Sequence, residues 1–125
     1  MVAIRYCASV PVHLNLIVAD VDRSEKFYRR WFGFDRGRRE FPDGTVFIRD
    51  AEGTDLAFVA GDPPEPPAPC VHFGFRRDLP AEVSDLLDAM RRQEVPIVEH
   101  FDEPDIVTFK CTDPDGYVVE IYWEP

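Results

Sequence analysis

The sequence predicts an α+β fold of two βαβββ modules, forming a curved mixed β-sheet cleft with the helices outside. Three observations carry this. Apolar residues alternate with polar ones, then recur at helical spacing, then alternate through three further short stretches, and the whole pattern occurs twice. A proline-rich stretch, Gly61-Asp62-Pro63-Pro64-Glu65-Pro66-Pro67-Ala68-Pro69, separates the repeats and suits neither a helix nor a central strand. Turn sequences built from Asp, Pro and Gly punctuate both halves. The expected organisation is one domain over residues 1–125, with module one at 11–60, a stiff exposed linker at 61–69 and module two at 70–125.

Val12 to Val18 predicts the first strand, with Val12, Leu14, Leu16 and Val18 on one face and His13, Asn15 and Ile17 on the other. Residues 1–11 are a lead-in that could add an edge strand. Asp20 or Asp22 can cap a helix running to about Phe32, and Gly33 is its C-terminal stop. Phe27, Tyr28, Trp31 and Phe32 form its aromatic stripe, which predicts core packing, while Arg23, Lys26, Arg29 and Arg30 take the solvated face. Phe34–Phe41, Thr45–Arg49 and Asp55–Val59 then predict a meander, joined by turns at Pro42-Asp43-Gly44 and Glu52-Gly53.

The second half repeats the plan. Cys70–Arg76 predicts a strand with His72, Gly74 and Arg76 on one face and Val71, Phe73 and Phe75 on the other. Asp78 is the expected cap of a helix with Pro80 near its first position and Val83, Leu86, Leu87 and Met90 as its apolar stripe. Ile97–Phe101, Asp105–Cys111 and Tyr117–Trp123 complete a second meander.

Composition narrows the function. A hydrophobic fraction of 45% with 10 Phe supports a packed globule. Fourteen basic residues against 24 acidic ones give a net charge of −10, which disfavours nucleic acid and anionic membranes. Cys7, Cys70 and Cys111 are odd in number, far apart and free of CxxC spacing, as expected of reduced core thiols. No apolar run approaches membrane-spanning length, so a cytoplasmic, soluble protein is expected.

Glu120 stands out. It lies between Val119 and Ile121 in a strand otherwise fit for burial, where an unpaired carboxylate would cost several kcal/mol. A cation is wanted there. His13 and His72 begin the first strands of the two halves and share with Glu120 the parity opposite the core face. Two imidazoles and a carboxylate form a facial triad that suits Fe, Mn, Ni, Co or Zn as divalent ions. A purely structural alternative stands beside it: two satisfied strand histidines, and Glu120 paired with Arg76 or Lys110. Asn15, Arg76, Lys110 and Tyr122 share the same parity as candidate substrate-orienting residues, and Phe47, Arg49 and Ala57 join them if the first meander keeps its register.

The stretches Val12-His13-Leu14-Asn15-Leu16-Ile17-Val18-Ala19-Asp20-Val21, Ser24-Glu25-Lys26-Phe27-Tyr28 and Phe32-Gly33-Phe34 resemble the opening of the vicinal oxygen chelate superfamily. Asp113-Pro114-Asp115-Gly116-Tyr117-Val118-Val119-Glu120 is similar to its C-terminal signature. That group includes glyoxalase I, fosfomycin resistance proteins, extradiol dioxygenases and bleomycin resistance proteins. The resemblance runs from Pro11 to Trp123 and implies paired βαβββ modules, with His13, His72 and Glu120 at three metal-ligand positions. The fourth ligand of glyoxalase I would fall within Leu56-Ala57-Phe58, best at Ala57, where no carboxylate stands; Asp55 has the parity but is two residues away. The potassium loop and tyrosine of the fosfomycin enzymes would fall near Pro104 and Lys110, a poor match. His100, twenty residues before Glu120, resembles the second-shell histidine of single-ring dioxygenases and could act as a general acid or base. The tyrosine those enzymes pair with it is replaced by Lys110, and a surface histidine among Glu99, Asp102 and Glu103 is the plainer reading.

Two functions follow. The favoured one is a divalent-metal-dependent enzyme of isomerase, lyase or dioxygenase type, chelating a small substrate through vicinal oxygens. The alternative is a metal-free antibiotic-binding protein of the bleomycin-resistance kind, an acidic dimer with Trp31, Trp123 and phenylalanine walls. In both, a homodimer is implied by the resemblance.

Overall fold

The computed structural model describes residues 12–65 and 71–125, so the expectations for residues 1–11, Cys7, Cys70 and residues 66–69 of the proline stretch lie outside the described residues. The chain divides after Pro64 into two compact units, each carrying one βαβββ module.

Unit 1 runs β1 (His13–Val18), α1 (Val21–Phe32), β2 (Arg36–Glu40), β3 (Val46–Arg49) and β4 (Asp55–Ala60). Its sheet is open and mixed, in the order β1-β4-β3-β2, with β1 parallel to β4 and the other pairs antiparallel. Asp20 is the N-cap of α1, its carboxylate accepting from the Arg23 amide at 3.1 Å. Gly33 ends the helix at φ +72, a left-handed conformation that glycine adopts without strain. The helix packs on β4. Its aromatic stripe is a core stripe: Tyr28 and Phe32 are buried and pack on each other, and Tyr28 also meets Phe34 and Phe58 of the sheet side. Each such ring contributes on the order of 1.5–3 kcal/mol by burial.

Glu25 of α1 is also buried. Arg38 of β2 donates through Nε to both of its carboxylate oxygens, at 3.1 and 3.0 Å, and Arg29 approaches at 3.5 Å. A charge-assisted pairing of this kind offsets the desolvation of the carboxylate and ties the helix to the edge strand.

Unit 2 runs β5 (Phe73–Arg76), α2 (Pro80–Arg92), β6 (Ile97–Glu103), β7 (Ile106–Thr112) and β8 (Val118–Trp123). Its sheet repeats the plan in the order β5-β8-β7-β6, with β5 parallel to β8. Helix α2 lies on β7 and β8 and buries Val83, Leu87 and Met90 against Phe109, Cys111 and Ile121. The Asp113-Pro114-Asp115-Gly116 turn is held from inside: the Asp113 carboxylate accepts the Asp115 and Tyr117 amides at 2.9 Å each, and Gly116 takes φ +91.

Several boundaries differ from the sequence expectation. Asp78 does not cap α2; Leu79 is the N-cap, without a side-chain hydrogen bond, and Pro80 opens the helix where its missing N–H costs nothing. Strand β5 starts at Phe73, so His72 sits just before it. Phe34 is buried but precedes β2, and β6 continues past Phe101 to Glu103.

Candidate functional site

Strand pairing sets which side chains share a face. In unit 2, Gly74 pairs with Glu120, Glu120 with Lys110, and Lys110 with Glu99, giving one row across all four strands. Arg76, Tyr122 and Thr108 form the next row on the same face. The opposite face, carrying Phe75, Ile121 and Phe109, is the one that packs on α2.

Glu120 is held at both oxygens. The Thr108 hydroxyl donates to Oε2 at 2.7 Å, and His72 Nε2 lies 3.3 Å from Oε1. Both the imidazole and the carboxylate remain about one-fifth to one-quarter exposed, so this end of the pair faces open space. Gly74 lets β5 and β8 approach closely beside the pair: a Cβ there would fall 2.9 Å from the Glu120 carbonyl oxygen and 3.2 Å from its Cβ. The alternative partners for Glu120 are engaged elsewhere. Lys110 Nζ sits 2.7 Å from Glu99, and Arg76 donates to the Glu124 carbonyl oxygen.

In unit 1, His13 pairs with Asp55 and Asp55 with Arg49, while Asn15, Ala57, Phe47 and Arg39 form the adjoining row. The first meander therefore keeps the register that puts Phe47, Arg49 and Ala57 on the face of His13 and Asn15. The His13 ring lies 5.4 Å from that of Phe47, which also contacts Phe41 at 5.3 Å. Asp55, the carboxylate with the parity of a fourth ligand, is clamped instead by Arg49, at 2.8 and 3.3 Å, with Arg39 at 3.4 Å. The Arg49 hydrogen bond holds the Asp55 carboxyl below its ordinary range, and Arg39 and His13 add to this by charge.

His100 stands apart from these rows. It pairs with Phe109, which pairs with Ile121, so it emerges on the helix-side face, opposite Glu120. Together with Arg91 and Glu94 it borders a concavity of about 460 Å³ at the end of α2. Thr108 was missed by the sequence reading, because a threonine between Val107 and Phe109 has nothing in its sequence context to distinguish it.

The donor set suits a divalent metal. His72 supplies an imidazole nitrogen, Glu120 an anionic oxygen fixed by Thr108, and both are accessible; imidazole and carboxylate together favour borderline first-row ions. Within either unit, no three described His, Cys, Asp or Glu side chains gather as a metal group.

A family model described as Glyoxalase/Bleomycin resistance protein/Dioxygenase superfamily matches residues 11–121. No curated protein sequence matches the chain. Among solved structures, the genomically encoded fosfomycin resistance protein FosX of Listeria monocytogenes superposes with a TM-score of 0.76 at 18% identity, covering 94% of each chain. Other structures of that protein are complexes with Mn(II). Lactoylglutathione lyase of Agrobacterium tumefaciens gives 0.71 at 24% identity, covering 92% of this chain and 93% of its own. The antibiotic binding protein TnmS3 of a Streptomyces species gives 0.70 at 20% identity, covering 94% and 97%. These likenesses establish the fold.

Proposed function

Because the chain belongs to the glyoxalase/bleomycin resistance protein/dioxygenase superfamily, we propose that it is a divalent-metal-dependent enzyme acting on a small substrate through two adjacent oxygens. The proposed ligands are His13, His72 and Glu120, the three positions that the family resemblance implies. The observation that carries this reading is the His72–Glu120 pair, 3.3 Å apart on an accessible face with the second Glu120 oxygen fixed by Thr108. A bound divalent ion would supply Lewis acidity that stabilises negative charge developing on the two adjacent substrate oxygens, with the reaction of isomerase, lyase or dioxygenase type.

The chain's own residues do the rest. Thr108 fixes the rotamer of Glu120, so that Oε1 alone is presented to a ligand. Gly74 sets the Glu120 backbone close against β5. Lys110, positioned by Glu99, offers positive charge beside Glu120, and Arg76 and Tyr122 line the next row. On unit 1, Asn15, Phe47 and Arg49 form the substrate-facing surface around His13, with Ala57 buried beneath them on the same face. Because it opens on the other side of the sheet, His100 has no part in this reading. The protein would work as a cytoplasmic homodimer.

A metal-free antibiotic-binding protein is the second reading. It is favoured by the Phe41–Phe47 pair beside a concavity of about 450 Å³, and by the likeness to an antibiotic binding protein. Elemental analysis of protein purified without chelator separates the two. Near-stoichiometric Fe, Mn, Ni, Co or Zn that is lost in His72→Ala and Glu120→Ala is expected. Wild-type protein that holds no metal and takes up none on titration would leave the binding reading, to be followed with cationic antibiotics.

A further inference from the structure

Strand β2 reads Arg36-Gly37-Arg38-Arg39-Glu40, and all of its residues are exposed. In a regular strand Arg36 and Arg39, three apart, would point to opposite faces. They do not here. Arg36 pairs with Arg49 and Arg39 with Phe47, so two residues of β2 stand opposite Ile48 alone, and the ladder is bulged between Arg36 and Arg39. Gly37 absorbs the extra residue at φ +58. The bulge has a chemical result. Arg38 turns to the helix side, where it meets Glu25, and Arg36 and Arg39 both join Arg49 on the face of His13.

The Arg38 side of the bulge serves the fold by meeting Glu25, but setting Arg36 opposite Arg49 does not. Arg36 and Arg49 are like charges directly opposite each other on antiparallel strands, which weakens a sheet. Three guanidinium groups share the face, and their acidic neighbours are few. Asp55 serves Arg49 and Arg39, and Asp35 approaches Arg36 only at 3.5 Å between two largely exposed side chains, a weak pairing. In a chain of net charge −10, this is a local excess of positive charge. The guanidinium of Arg39 lies 5.1 Å from the Phe47 ring centroid, so it is oriented before any ligand arrives. Planar guanidinium forks match oxyanions in two-point contacts, and pre-orientation lowers the entropic cost of making them.

We infer that the polar face of unit 1 carries an oxyanion-binding subsite, made by Arg36, Arg39 and Arg49 beside His13, for a phosphate-type or carboxylate-type group of a small ligand. Asp55 is its internal competitor: it occupies Arg49 and Arg39 when no ligand is present and gives them up, in part, when one binds. That this anionic group belongs to the substrate rests on the proposed function; the subsite itself does not.

The test is a titration of the isotope-labelled, metal-free full chain with inorganic phosphate, and separately with acetate, at constant ionic strength. Binding is followed by NMR at the arginine Nε–H groups. Saturable shifts at Arg39 and Arg49 are expected, weakened at least about tenfold in Arg39→Gln and less in Arg39→Lys. Asp55→Asn removes the competitor and should tighten binding severalfold, a direction that damage to the fold would not produce. Arg91→Gln makes the same charge change on α2 and should leave the affinity unchanged. Tighter phosphate than acetate assigns a tetrahedral group, and the reverse a carboxylate; either supports the subsite. The inference is overturned if neither anion gives saturable shifts, if Arg91→Gln weakens binding as much as Arg39→Gln, or if Asp55→Asn weakens it. Because the titration uses metal-free protein, it reads the same whether or not the metal analysis supports the enzyme. Metal uptake with no anion binding would sink this inference alone.

Discussion

Replacing Gly74 by alanine tests the link between the sheet and the candidate site. A Cβ at this position would meet the Glu120 carbonyl oxygen at 2.9 Å and the Glu120 Cβ at 3.2 Å, and both belong to the neighbouring strand of a paired ladder. Neither atom can swing aside as a side-chain tip can. Two effects compete. Alanine relieves the backbone entropy that glycine loses in a strand, worth about 0.5–1 kcal/mol in favour of the variant. Overpacking against fixed atoms costs about 1–3 kcal/mol. The second wins, so a net loss on the order of 1 kcal/mol or more is expected, with Tm lowered by about 4 °C for each kcal/mol. Gly61→Ala is the matched comparison. Its Cβ would come as close, 3.0 Å, but to the Cγ2 of Ile17, an exposed side chain that can give way, so its Tm should hardly move. Thermal unfolding gives the stability, and Mn(II) titration gives the consequence at the site, since a displaced Glu120 should bind the ion more weakly. Gly74→Ala with the stability and Mn(II) affinity of the parent would refute the reasoning; so would an equal Tm loss in both variants.

Two further outcomes are expected. Glu94, just beyond α2, is the only non-glycine described residue at positive φ, +60, so Glu94→Gly should raise the Tm by the equivalent of about 0.5–1 kcal/mol; an unchanged or lower value would show that its side chain matters more than its backbone. Burial pushes the Cys111 thiol up to about 12, with the charge of Asp113 adding to this, so it stays protonated through the neutral and mildly alkaline range. Peptide mapping after iodoacetamide at pH 8 should find Cys111 unmodified in native protein and modified after unfolding. Its raised value in the fold also means that the stability it contributes is complete below the ordinary thiol range and is lost as pH rises toward 12.

How much of this was legible in the sequence depended on whether a residue obeys simple periodicity. The alternation in Val12–Val18 places Leu16 and Val18 in the core and His13, Asn15 and Ile17 outside it, as observed, because β1 is regular. The Gly33 stop and the Asp20 cap were readable for the same local reason: each acts through its own backbone. Parity fails wherever a strand is irregular. The Gly37 bulge reverses the expected direction of Arg39 relative to Arg36, and no count of residues along the chain reveals it. His100 was taken from its distance to Glu120 along the chain, but cross-strand register decides the face, and it sets Glu99 in that row instead. Asp78 has the chemistry of a cap, yet Pro80 fixes the helix start one residue later than such a cap would need. Thr108 was overlooked because a lone threonine amid Val107 and Phe109 looks like an ordinary strand residue until its partner is known.

The strand orders also say something about how the molecule is made. In each unit the first strand pairs with the last, His13 beside Asp55 and Phe73 beside Val119, so β1 and β5 find their partners only after the whole of their unit has been laid out. The intervening hairpins close short loops and can zip early, whereas the first strand must close a loop spanning its entire module and repays that entropy only at the end. Among the described residues both are also edge strands, paired on one side. Amide exchange should therefore be fastest to open in β1 and β5 among the parallel-paired strands. His13 lies on one and His72 immediately before the other, so the proposed ligand histidines are carried by the segments that join the fold last. Competence to hold a ligand would then report on completed folding, and a bound ligand would stabilise the part of each unit that is otherwise first to come away.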